Sequence, residues 1–406
     1  MLIEKSVNRS LLLNHTTKQK IEQRSEILQF LPESLEELVN KKTINYNSKN
    51  LKTSYIIDII HNLIFKYYYK GDNLFTLNAT VLKEKYTKNY HLYINYLVNN
   101  NYLILTKDYS VGKSSRIYSL NLKLLNGKIK RYINNDTILL KKYRSNLLDM
   151  VFDQNNIIER EVKEKLINDL YSVDIKMESV IYFLDRLEDN DTNIYNKNMY
   201  SSESIKSGNI FYHFDRFGRM HTNFTTLKSF IRKNCLTIDG EETIEFDVKN
   251  SQPLFLCKLI EQTNTKWVDS DELDFFRSLT INGKYYDYIV NRFGIKDRKV
   301  AKTMTYEVLF GKNDFRNKSD KLFKSCFPTI YNFIKLYKKQ YNDYRILSYH
   351  LQRSESNFIF NKVVKTINNL YPHIKIITVH DSIMVNRKYK QIVSDIFESK
   401  LTEEFK

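Results

Sequence analysis

Residues 243–256 read TIEFDVKNSQPLFL, and residues 374–387 read IKIITVHDSIMVNR. In each, a short apolar run rich in β-branched residues ends at an aspartate, Asp247 or Asp381, and polar residues follow. Such runs are the pattern of buried strands, so both carboxylates are expected at strand ends. A single aspartate in that position is more often a turn or cap residue, and neither stretch decides the chemistry alone.

Between them, residues 298–311 read RKVAKTMTYEVLFG. Arg298, Lys302 and Tyr306 recur every four residues and Phe310 extends the row, so the four share one helix face. A guanidinium, an ammonium and an aromatic ring in a row suit a triphosphate with a base stacked beyond it. The same spacing also fits a solvated amphipathic helix. Two strand-end carboxylates beside a cationic helix suit two-metal nucleotidyl transfer, in which divalent ions roughly 4 Å apart activate a 3′-hydroxyl and neutralise developing charge. Oxygen donors with few nitrogen or sulfur neighbours favour Mg²⁺, with Mn²⁺ as the alternative.

The helix resembles motif B of the family A (DNA polymerase I-like) polymerases, R-x-x-x-K-x-x-x-F/Y-x-x-x-Y-G. EFDVKNSQP resembles their motif A, and IITVHDSIMV their motif C. Gly218-Arg219-Met-His-Thr-Asn with Ser229-Phe-Ile-Arg232 is similar to the T-G-R-x-S … I-R segment before motif A. His350-Leu-Gln352-Arg-Ser-Glu-Ser is similar to the helix start before motif C. Five elements in the family's order cover roughly residues 210–406. The resemblance implies an α+β fold, a right-hand polymerase with palm, fingers and thumb. Residues 208–406 would be palm and fingers, the fingers at about 255–345, and the helical block 128–207 would take the place of the thumb.

Carried over residue by residue, the resemblance implies that Asp247, Asp381 and the carbonyl of Val248 bind two metal ions. Arg298 and Lys302 would hold the triphosphate, with Lys302 also protonating the leaving pyrophosphate. Tyr306 would flank the nucleotide, and Phe310 and Gly311 would close on the templating pair. Arg219 and Gln352 would touch the minor groove near the primer end, where acceptors are common to all pairs, and His380 would support the primer terminus. The sequence departs from the family at three places. Gln252 stands where a DNA polymerase carries the Glu that excludes a 2′-hydroxyl, Phe310 replaces the tyrosine that bonds that Glu, and Ser382 makes motif C His-Asp-Ser, as in single-subunit RNA polymerases. Sugar choice is therefore open at Gln252.

Upstream, residues 1–50 are polar and weakly periodic, the pattern of a helical or flexible arm. Residues 51–127 carry a helix around TSYIIDIIHNLIFKYYY, two short helical patterns, and two strand-like runs split by Val111-Gly112-Lys113-Ser114-Ser115. Three helices followed by a hairpin resemble a winged helix, a fold used both for DNA binding and as a scaffold. No exonuclease carboxylate set and no Walker-type glycine loop is seen, so neither proofreading nor an NTPase motor is expected.

The formal charge of +17 over 406 residues favours a polyanionic partner. Three unevenly spaced cysteines form neither a disulfide framework nor a zinc pattern. The most apolar stretch, SYIIDIIHNLIF, is short and interrupted by Asp58 and His61, so no membrane span is expected. The expected protein is cytoplasmic and monomeric, a compact DNA-dependent DNA polymerase of a phage, plasmid or mobile element that extends a DNA template-primer with nucleoside triphosphates. The alternatives are a single-subunit RNA polymerase or primase, and a catalytically inert winged-helix replication initiator.

Overall fold

The apolar run interrupted by charge, SYIIDIIHNLIF, lies in the long helix Thr53–Lys70 of the computed structural model, which describes residues 13–110, 115–148, 158–187, 192–263, 265–313, 317–380 and 382–405. Every residue from Tyr55 to His61 is buried, so the first half of this helix is enclosed on all sides, and Leu63, Ile64 and Tyr68 continue its buried face. Burying each aliphatic side chain among them is worth about 1.5–3 kcal/mol. Gly71, at φ 70°, ends the helix in the left-handed region, from which its N–H returns to the Tyr67 carbonyl.

The two interrupting polar residues are buried and paired. Asp58 accepts from Gln29 Nε2 at 2.8 Å, the Tyr86 hydroxyl at 2.5 Å and Asn62 Nδ2 at 3.0 Å, and pairs with Lys85 at 2.6 Å. The Phe30 N–H donates to Nδ1 of His61 at 3.1 Å, so a neutral ring carries its proton on Nε2 and donates it to the Tyr200 hydroxyl oxygen, also at 3.1 Å. Burial pushes the His61 pKa down to about 4, against the smaller opposing pull of Asp58.

The chain forms two compact units: Met1–Phe152 with Ile167–Tyr212 and Thr222–Thr243, and Asp153–Leu166 with His213–His221 and Ile244–Lys406. In the first, the helix Thr53–Lys70 is followed by the short strand Phe75–Thr76, the helices Ala79–Lys85 and Tyr90–Asn99, and the strands Leu103–Lys107 and Ile117–Leu120. The three strands form one sheet with Ile117–Leu120 at its centre. Residues 111–114, within the expected turn, lie outside the described residues.

Two sequence expectations are revised within this unit. Residues 27–52 are not an arm: Ile27–Pro32 pairs antiparallel with Ile129–Asn134 and buries Phe30 and Leu31, and Thr43–Tyr46 pairs with Lys49–Lys52. The first strand's partner lies about a hundred residues on, so no local periodicity announces it. Nor does the core stop at residue 127. Tyr200, from the helix Thr192–Lys206, joins the same hydrophobic cluster. Buried Asn196 donates to the carbonyls of Leu125 and Gly127 at 3.3 and 2.8 Å and accepts from Ile129 N–H at 3.3 Å.

The second unit is mostly helical around a few strands. Ile376–Val379 and Ser382–Asn386 form a hairpin in the register Val379↔Ser382, and the strand ending at Asp247 lies on the other side of Ser382–Asn386. Every residue of the hairpin strands is buried, which explains their unbroken apolar runs. Tyr285, Phe255, Phe276, Phe327, Phe333, Phe358 and Phe360 are among the largest fully buried side chains of this unit. The helix Ile346–Asn357 widens into a π-helical turn, Phe358–Val364, that buries Phe358, Ile359 and Phe360 in succession. The fold is thus mixed α and β. Among the described residues no helix is long and apolar enough to cross a membrane.

The His61 shift makes a stability prediction. A folded pKa below the unfolded one means that the unfolded chain takes the proton first, so stability is full above the unfolded value near 6.5 and falls as pH drops toward 4. His61 should cost about 2 kcal/mol between about pH 7.5 and about pH 5. Urea unfolding of wild type and His61→Gln across that range measures it: the variant starts less stable but loses less on acidification. Parallel losses would show that His61 is not the titrating group.

Candidate active site

The strand that ends at Asp247 carries Glu245 on the same face two residues earlier. The Ser382 hydroxyl lies 2.8 Å from Glu245 Oε1 and 2.9 Å from the Val379 carbonyl, so its one proton is shared between them. This ties the start of Ser382–Asn386 to the end of the neighbouring strand. Asp247 is exposed and Val248 buried. The second expected carboxylate, Asp381, lies outside the described residues. Ser382 faces an acid: the Glu245 carboxylate stands against its hydroxyl. The signal for Glu245 was present in the i, i+2 spacing with Asp247.

Among the described residues, no group of three or more His, Cys, Asp or Glu side chains could hold a metal ion. The groups gathered at the Asp247 end, two carboxylates on one strand face and the carbonyl of Val248, are oxygen donors. That set fits a hard divalent cation of the Mg²⁺ type and offers no sulfur ligand. Asp247 also borders a cavity of about 380 Å³, but Phe246, Leu254, Ile281, Phe397 and Phe405 make that side too apolar for a triphosphate.

Leaving the strand, the chain turns at Asn250 (φ 53°) into the helix Ser251–Gln262. Asn250 Nδ2 donates to the Thr280 carbonyl at 3.3 Å, and the Lys249 side chain packs so closely on Gly283 that an added Cβ would sit 3.0 Å from its Cδ. The Gly283 carbonyl in turn accepts from Arg298 at 3.2 Å. The basic helix Arg298–Phe310 is thereby anchored to the turn on which the residues after Asp247 rest. Ala301, Thr305, Val308 and Leu309 are its buried face, so Arg298 and Lys302 are exposed and Tyr306 and Phe310 half-buried. Lys302 Nζ stands 5.5 Å from the Tyr306 ring centroid, and the rings of Tyr306 and Phe310 are 5.0 Å apart. Arg298 also pairs with Asp287 at 3.3 Å; Arg298 is exposed and Asp287 half-buried, and a solvent-accessible pair of this kind is worth about 0–1 kcal/mol, weak enough to yield to a polyphosphate.

The end of this helix is fixed from behind. Lys338, 2 % exposed, donates to the carbonyls of Val308 at 2.7 Å and Gly311 at 2.8 Å, two of the acceptors a helix end leaves open. Burial, with Lys335 adding to it, lowers its pKa to about 7. A Cβ at Gly311 would lie 2.3 Å from the Glu307 carbonyl oxygen, so only glycine fits there. Lys338 sits in a stretch that reads as an ordinary basic amphipathic helix, YNFIKLYKKQ, and nothing local distinguishes it.

Glu355 is the residue that sequence reasoning missed. It is 1 % exposed, on the helix Ile346–Asn357. Its carboxylate accepts from Gln252 Nε2 at 2.6 Å, from the Ser251 hydroxyl and from the Arg219 guanidinium, which is itself 20 % exposed. Three stretches read separately from the sequence therefore meet on one buried carboxylate. With Nε2 turned to Glu355, Gln252 Oε1 is left as a buried acceptor with no hydrogen-bond partner. Gln352, one turn earlier, donates to Ser348 Oγ at 2.8 Å.

His380 begins the connection after Val379 in the left-handed region, at φ 55°. Its ring is 5.9 Å from that of His221, whose Nε2 is 2.9 Å from Asp215 Oδ2. Burial alone would raise the Asp215 pKa, but His221 and the N–H groups of Arg219 and Phe217 hold it below the usual carboxylate range. His213 is lowered by burial and by the neighbouring His221.

No family model matches the chain, and no curated protein matches it.

Removing one partner of a buried ion pair leaves the other uncompensated and costs about 3–5 kcal/mol. Glu355→Ala should lose that much in urea unfolding, whereas Arg219→Met combined with Glu355→Met should recover most of it. Strictly additive losses in the double variant would show that the two groups are not coupled.

Proposed function

We propose that the chain is a template-directed nucleotidyltransferase of the family A polymerase type, a compact DNA-dependent DNA polymerase without proofreading, acting on a DNA template-primer. The observation that carries this reading is the chain of contacts from Asp247 through Lys249 and Gly283 to Arg298. It brings an exposed strand-end carboxylate and the start of a cationic helix onto one support. Asp247 and Asp381, with the carbonyl of Val248, would hold two Mg²⁺ ions (Mn²⁺ serving as well), which supply activation of the primer 3′-hydroxyl and neutralisation of the transferred phosphate.

The remaining steps belong to the chain's own groups. Arg298 leaves its weak partner Asp287 for the triphosphate oxygens, where a charge-assisted bond is stronger. Lys302, in line one turn on, binds the same oxygens and passes a proton to the departing pyrophosphate. Tyr306 and Phe310 form an apolar floor for sugar and base, with Gly311 held by Lys338 at the edge of the templating pair. Arg219 and Gln352 read the primer-end minor groove, and His380 supports the primer terminus.

The second reading, a single-subunit RNA polymerase or primase, is favoured by one observation. Gln252 offers an unpartnered amide oxygen in place of a carboxylate, and a ribose 2′-hydroxyl is a donor suited to it. For residues 51–127, a winged-helix reading is supported by the order helix, strand, two helices, two strands and by their common sheet. The helix Tyr90–Asn99 carries no lysine or arginine, so any hold on DNA phosphates would come from flanking lysines such as Lys83 and Lys88.

Extension of a primed DNA template in Mg²⁺, with dNTPs and rNTPs in separate reactions, tests the proposal. Extension with dNTPs is expected, lost in Asp247→Ala and Asp381→Ala. Arg298→Ala should raise KM for the nucleotide roughly 10- to 100-fold, the equivalent of about 1.5–3 kcal/mol for a bond to a charged group. Extension with rNTPs alone would establish the second reading. Activity that survives Asp381→Ala removes the site assignment, and no extension with either substrate points to an inert initiator.

A further inference from the structure

One cluster in the second unit lies outside this machinery. Asp215 Oδ1 accepts from the N–H groups of Phe217 and Arg219 at 2.8 and 2.9 Å, and Gly218 adopts φ 88°, so the turn holds Arg216 and Phe217 outward. The Phe217 ring stacks on Tyr349, with centroids 4.7 Å apart and planes inclined by 27°. The Arg216 guanidinium lies 4.7 Å from both ring centroids and donates to the Tyr349 hydroxyl at 2.8 Å. Arg345 stands 5.9 Å from Tyr349 and 5.9 Å from Tyr344, and Lys312 is also 5.9 Å from Tyr344. Arg216, Arg345, Lys312 and Tyr344 are exposed.

Both contacts of Arg216 lie well within the range of about 6 Å over which a cation is drawn to a ring, and those of Arg345 and Lys312 lie at its edge. Among the described residues, Asp343 is bonded to Arg345 at 3.0 Å and Asp215 holds the turn that carries Arg216; the three cations outnumber these two carboxylates. Rings flanked by guanidinium groups, on a surface where Arg216, Arg345, Lys312 and Tyr344 are all exposed, lack the enclosure that a small ligand needs. They match the requirement of an unpaired strand, in which bases present π faces and phosphates follow alongside.

We infer that Arg216, Phe217, Tyr349, Arg345 and Tyr344 form a stacking platform for single-stranded nucleic acid. It goes beyond the catalytic proposal and does not depend on it. Stacking accounts for base-dependent but sequence-tolerant binding, while the guanidinium groups add a salt-dependent component.

Fluorescence anisotropy of the full chain with a labelled single strand of about 12 nucleotides tests it, in EDTA and without nucleotides, so that the result is independent of catalysis. Tyr349→Ala is expected to weaken binding about tenfold, one stacked base being worth about 1–3 kcal/mol, while Tyr349→Phe keeps most of the affinity. A strand of the same length made of abasic sites should bind wild type no better than the base-bearing strand binds Tyr349→Ala. Equal affinity of wild type for the two strands would overturn the proposal, as would unchanged binding by a folded Tyr349→Ala. Photo-crosslinking of a 5-iododeoxyuridine strand to the wild-type chain needs no variant: adducts on Phe217, Tyr344 or Tyr349 support the platform, and adducts confined to other segments reject it.

Discussion

A carboxylate at 1 % exposure needs hydrogen-bond donors around it, and Glu355 draws its donors from stretches of chain more than a hundred residues away. That requirement organises the candidate site. The turn bearing Arg219, the start of the helix after Asp247 and the helix Ile346–Asn357 cannot move independently without stranding a charge. The cost of breaking such a pair, about 3–5 kcal/mol, is a sizeable part of the 5–15 kcal/mol that stabilises a folded domain. The same contact decides what Gln252 presents. With its amide nitrogen committed to Glu355, its oxygen is the group left without a hydrogen-bond partner.

The first unit solves a similar problem with a different network. Asp58 and His61 interrupt an apolar run at positions that face the core, and both are answered by side chains from distant elements. Asp58 keeps an ammonium partner in Lys85. His61 is kept neutral, because one ring nitrogen accepts a backbone N–H while burial disfavours the cation. Networks of this kind fix register, because a shift of either partner leaves a buried polar group unpaired.

Much of the local structure was legible. The helix Arg298–Phe310 appears where the four-residue spacing puts it, with Ala301, Thr305, Val308 and Leu309 inward and the basic row outward. The hairpin that ends and begins at Val379 and Ser382 follows from unbroken apolar runs. The illegible parts share one cause, which is long-range pairing. Ile27–Pro32 looks like part of a polar arm until its partner at Ile129–Asn134 is known. Glu355 and Lys338 look like helix-surface charges, since nothing within ten residues of either shows that it is buried. Glu245 was legible in principle, two residues from Asp247 on the same strand face, but a strand with alternating charge gives no reason to single it out. Asp381, read as the partner of Asp247, lies outside the described residues.

In the proposed site, Asp247 and the His380–Ser382 connection would serve the same pair of metal ions. Fe²⁺ substituted for Mg²⁺ generates hydroxyl radicals that cut the backbone only next to the bound ion, and this reads that arrangement directly. Two cuts are expected, near Phe246–Lys249 and near Val379–Ser382, competed by Mg²⁺ and both lost in Asp247→Ala. A cut near residue 381 that persists in Asp247→Ala, or cutting at neither stretch, would contradict the shared site.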